Sequence, residues 1–94
     1  MAIFAVIMQP GPPGADSLRR AINEHFSSTN YQLDGDHGWL VAGRGTAQQI
    51  SETLGITDGQ SEAALVVEVA SYFGRANPNI WTWIKDNWEL GKNA

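Results

Sequence analysis

The sequence predicts one α+β domain over residues 1–94, built on a four-stranded antiparallel sheet of order 4-1-3-2. Two helices lie on one face of that sheet, and an extra helix follows over about residues 78–90. Three observations carry this reading. Ala2-Ile3-Phe4-Ala5-Val6-Ile7-Met8 is apolar at every position, as a strand covered on both faces would be. Gly38-Trp39-Leu40-Val41-Ala42 is a second apolar run, and a capped helix follows it. The elements then alternate as strand, helix, strand, strand, helix, strand.

The first strand is too short and too rich in β-branched residues for a helix. Gln9-Pro10-Gly11-Pro12-Pro13-Gly14 ends it, because proline cannot extend a ladder and glycine permits tight turns. This loop lacks the Lys and Ser/Thr of a phosphate-binding loop. Its prolines also remove backbone donors, so it reads as a stiff connector. Asp16 or Ser17 can cap the first helix. Leu18, Ala21, Ile22 and Phe26 form its apolar stripe, and His25 stands at the boundary of that stripe.

Tyr31-Gln32-Leu33 reads as a short strand, and Asp34-Gly35-Asp36 as the turn of a hairpin leading into Gly38–Ala42. Asp34, Asp36 and His37 are the one cluster with a metal-ligand look. The oxygens of a calcium loop do not continue past them, so a polar hairpin tip is the better account. Thr46-Ala47-Gln48-Gln49 is a capping box, with Thr at the N-cap and Gln at N3. Ala47, Ile50 and Leu54 share one face of this second helix. Gly55 sits where a left-handed residue closes a helix, with Ile56 after it for the apolar contact.

Ala63 to Ala70 is the fourth strand, with Leu65, Val67 and Val69 on one face. Ala64, Val66, Glu68 and Ala70 take the other, where a lone Glu68 marks an edge or a wet surface. After a loop holding Tyr72, Phe73 and Arg75, Asn77-Pro78 opens the last helix with Asn as N-cap and Pro at N1. Ile80, Trp81, Ile84 and Trp88 make its apolar stripe, with Trp83 at the margin. Residues 91–94 are expected to fray. This strand and helix order is the ferredoxin-like split βαβ pattern. Its second sheet face needs a cover, either the helix Ile80–Trp88 or a second copy of the chain.

Bulk composition narrows the function classes. A domain this small buries roughly 60–65% of its surface, so large exposed apolar groups point to a partner. The net charge of −4 does not draw nucleic acid or anionic lipid. No run reaches the ~20 apolar residues of a membrane span. No basic segment precedes the apolar N-terminus, so no signal peptide is expected. The absence of cysteine excludes thiolate chemistry and disulfides and fits a cytoplasmic protein. No nucleophile–base or paired-acid constellation is visible, and no cofactor is expected.

Taken together, the aliphatic first strand, Gly38-Trp39-Leu40-Val41, the capped helix with Ile50 and Leu54, Leu65-Val66-Val67-Glu68-Val69 and Trp83-Ile84-Lys85 resemble the small SinR-like proteins. Those are in turn distantly similar to the Cas2-like CRISPR-associated proteins. The resemblance implies a ferredoxin-like homodimer and, on the Cas2-like side, a metal-dependent nuclease or nucleic-acid scaffold. That nuclease needs an Asp at the end of the first strand, where this chain reads Val6-Ile7-Met8-Gln9-Pro10.

The leading expectation is therefore a small non-catalytic module that acts by homodimerisation or by binding a protein partner. Its contact residues would be Trp39, Tyr72, Phe73, Trp81, Trp83 and Trp88. The alternative is a nucleic-acid protein, which needs Arg19, Arg20 and Arg44 to converge. A third reading is a ligand pocket lined by Trp81, Trp88 and Tyr72.

Overall fold

The computed structural model describes residues 2–9, 16–34, 38–71 and 78–92. Seven elements follow in order: β1 (Ala2–Met8), α1 (Asp16–His25), β2 (Asn30–Asp34), β3 (Gly38–Gly43), α2 (Ala47–Thr53), β4 (Ala64–Glu68) and α3 (Pro78–Lys92). The strands form one sheet of order β2-β3-β1-β4, in which every neighbouring pair is antiparallel. Counted from the β4 edge, this order reads 4-1-3-2. The two central strands are β1 and β3, whose residues are apolar on both faces.

Alternation along β1 and β3 divides the interior into two cores. Phe4, Val6, Met8, Trp39 and Val41 point to one face, where they meet Leu18, Ile22 and Phe26 from α1 and its end and Ile50 and Leu54 from α2. Ile3, Leu40 and Ala42 point to the other face and pack against Ile84 of α3. Each central strand thus buries both of its side-chain sets. At roughly 25 cal/mol per Å² of apolar surface, such two-sided burial stabilises a short strand more than hydrogen bonding does.

The ends of α2 follow the sequence closely. Gln49 N–H donates to Thr46 Oγ1 at 3.2 Å, and Thr46 N–H donates back to Gln49 Oε1 at 2.9 Å. At the C-terminus, Gly55 adopts φ +76°. Its N–H donates to Glu52 C=O and that of Ile56 to Ser51 C=O, at 3.1 and 3.0 Å. These paired bonds form a Schellman closure, which needs the left-handed residue that glycine adopts without strain.

Some local expectations change. Asp16 and Ser17 lie inside α1 rather than capping it. One early donor of that helix, Leu18 N–H, is taken by Glu62 Oε1 at 3.0 Å, from the far side of α2 in the chain. A carboxylate there also suits the positive end of the helix dipole. His25 is exposed rather than half-buried. The outer strands span Asn30–Asp34 and Ala64–Glu68, against expectations of 31–33 and 63–70.

Candidate functional site

The helix α3 covers only part of its sheet face. Ile80, Trp81, Trp83 and Trp88 pack half-buried around the cluster of Ile3, Leu40, Ala42 and Ile84. Val69, just past β4, and Tyr31 of β2 join the same cluster. Tyr31 and Trp83 meet with ring centroids 6.2 Å apart and planes tilted by 55°. All these contacts gather toward the end of the sheet where β1 begins.

Among the described residues, no element covers the opposite end of that face. Ile7 continues the alternation of Ile3 and Ala5, so it points to the α3 side. Ile7 pairs with Gly38 on β3 and with Leu65 on β4, and Ala5 pairs with Val67. Directly paired residues share a face, which places Leu65 and Val67 there too. Leu33 lies at the register break before Asp34, the residue paired with Gly38, and adjoins Gly38, since a Cβ built on Gly38 would stand 3.8 Å from Leu33 Cβ. Leu33, Gly38, Ile7 and Leu65 therefore form one row across all four strands.

This row is wet. Ile7 is 49% exposed, Leu33 42%, Leu65 60% and Val67 38%. These are the exposed large hydrophobic residues among the described residues, and they share one end of one face. Scattered apolar exposure is ordinary on small proteins, but a contiguous row marks a contact surface. The β4 face with Leu65 and Val67, read from the sequence as simply apolar, is the uncovered one. Ala64 and Val66 of the opposite face pack against the helix-side core.

The residues expected to carry function are dispersed. Trp39 is 2% exposed and sits under α1 and α2, so it offers no surface to a partner. Trp81, Trp83 and Trp88 are drawn into the α3 contact. Arg19 reaches Asp16 Oδ1 at 2.6 Å on the first turns of α1. Arg20 lines a shallow groove of about 250 Å³ together with Glu24, His25 and Glu52. Arg44 follows Gly43, whose built Cβ would touch Phe26 just beyond the other end of α1. It is thus placed apart from Arg19 and Arg20. Tyr72, Phe73, Asp36, His37 and the Asp34 side chain lie outside the described residues, as does the proline loop.

Among the described residues, no polar or charged side chain is buried and no group of three His, Asp or Glu is gathered to hold a metal. Ile7, Leu33, Leu65 and Val67 were not singled out by the sequence. Strand alternation marks such residues as core, and it says nothing of how far a later helix reaches. No helix among the described residues is long and apolar enough to cross a membrane. Compared with family models, curated proteins and solved structures, the chain matches none.

Proposed function

We infer that this chain is a small non-catalytic ferredoxin-like module that works by contact, through homodimerisation or through binding a protein partner. The fold reading is supported by the βαββαβ order, the antiparallel sheet and the shared core of α1 and α2 on one face. The contact reading is carried by the apolar row of Leu33, Ile7 and Leu65, with Val67 beside it. Water on these side chains is unfavourable by about 25 cal/mol per Å², and a partner that removes it gains that stabilisation.

Light scattering over a concentration series tests the reading. The full chain is expected to give a mass above the 10.2 kDa of one copy, and Leu65→Lys is expected to return it toward that value. Leu65 is mostly exposed, so the lysine leaves the fold intact. A wild-type chain that stays at one copy throughout, and binds an apolar dye no better than Leu65→Lys does, contradicts the contact reading.

A further inference from the structure

The open end of the sheet adjoins an unprotected edge, and the ladder shows which backbone groups face out from it. Gln9 N–H donates to Ala63 C=O at 3.0 Å, and Val69 N–H donates to Ile3 C=O at 2.8 Å. Both belong to the register in which Ile7 opposes Leu65 and Ala5 opposes Val67. Hydrogen-bonded and non-bonded pairs alternate in an antiparallel ladder, so Leu65 and Val67 are the bonded residues between those ends. Ala64, Val66 and Glu68 turn their N–H and C=O groups away from β1. Among the described residues, no strand and no backbone hydrogen bond takes that outer edge.

The two edges of the sheet are not alike. At β2 the register breaks between Gln32 and Asp34, and the strand carries Asn30, Gln32 and Asp34. Bulges and polar residues blunt an edge against further pairing. At β4 the register is unbroken, and Ala-Leu-Val-Val-Glu holds no proline and no lysine. Such an edge is a template for another strand.

We propose that β4 pairs antiparallel with β4 of a second copy about a twofold axis at Val66, joining two sheets into one of eight strands. This rests on the reading above that the chain works by contact, and it adds an in-plane contact at the β4 edge to the face contact, because the pairing leaves Ile7 and Leu33 uncovered. The register uses the whole strand, setting Val66 against its own copy and Ala64 against Glu68 of the second copy. Charge disfavours registers shifted toward Glu68. The two Glu68 carboxylates stand about 14 Å apart along the strand, beyond the ~8 Å screening length at physiological salt. A register that aligned Glu68 with its copy would set like charges directly opposite, which is destabilising. Leu65 then stands against Val67 of the second copy on the open face, so one apolar row runs into the next.

Amide hydrogen exchange on the full chain, at concentrations either side of association, tests the pairing. In the associated state the amides of Ala64, Val66 and Glu68 are expected to slow by at least about tenfold. Those of Leu65 and Val67, already bonded to β1, should change little. The chain has no cysteine, so single substitutions report register. Val66→Cys should cross-link to its copy on mild oxidation, because bonded pairs stand about 5.5 Å apart at Cα, within disulfide reach. Glu68→Cys, at about 14 Å from its copy, should not. Circular dichroism confirms that both variants are folded.

Association with unchanged exchange at Ala64 and Val66 overturns the edge pairing and leaves the contact reading standing. Cross-linking through Glu68→Cys rather than Val66→Cys overturns the register. A monomeric chain whose edge amides slow only on adding an extended apolar peptide overturns the second copy as occupant, in favour of strand addition by a peptide. A monomer with fast edge amides under every condition overturns both this pairing and homodimerisation.

Discussion

Replacing Ile84 with alanine tests whether α3 is seated on the sheet or merely lies near it. Ile84 is 6% exposed and packs with Ile3, Leu40 and Ala42, and Trp81, Trp83 and Trp88 form the rim. Truncating a buried isoleucine to alanine costs about 2–5 kcal/mol, with the larger losses where the cavity cannot collapse. Here the rim side chains are half-buried and can move inward, which favours the lower part, roughly 2–3 kcal/mol. For a domain of this size that is a drop of roughly 10–20 °C in Tm. It is also a large share of the roughly 5–14 kcal/mol expected for 94 residues. The assay is urea unfolding followed by far-UV circular dichroism and by tryptophan emission. Three of the four tryptophans sit on α3, so emission should move to the red earlier in Ile84→Ala than in the wild type. A loss below about 0.5 kcal/mol, the range of surface substitutions, would show that α3 does not close this face.

Three other substitutions probe how the remaining parts are held. Gly43→Ala should cost about 1–3 kcal/mol by overpacking, since the added Cβ would stand 2.9 Å from Phe26 Cε1 and 3.2 Å from Ile50 Cδ1; a neutral urea midpoint would contradict that close approach. Thr46→Ala removes the acceptor for Gln49 N–H and should cost about 1 kcal/mol in thermal melts, while Thr46→Ser should restore it. Glu62→Ala strips the acceptor from Leu18 N–H and should cost about 1 kcal/mol, with faster amide exchange at Leu18; unchanged exchange there would mean the contact does not hold the start of α1.

Much of this fold can be read along the chain because its signals are local. The capping box at Thr46 and Gln49 and the left-handed Gly55 each act within a few residues, and both ends of α2 form as their residue types require. The two-sided apolar runs at Ile3–Met8 and Trp39–Ala42 place β1 and β3 at the centre of the sheet, since only a central strand covers both faces. The contact between Glu62 and Leu18 spans 44 positions and has no local mark. The burial of Trp39 and the exposure of Leu65 are likewise invisible in the pattern. Both are apolar strand residues, and what separates them is which helix lies overhead. The length and placement of α3 decide that Ile3 is dry and Ile7 wet, although the two side chains point the same way.

The central claim is that association uses the bare end of the sheet rather than the helices. Methyl resonances of the full chain, followed through a dilution series, test it most directly. Ile7, Leu33, Leu65 and Val67 should shift together as copies separate, while Val6, Ile22 and Val41 in the helix-side core hold still. Shifts confined to α1 or α2, or a spectrum that does not change with concentration, would contradict it.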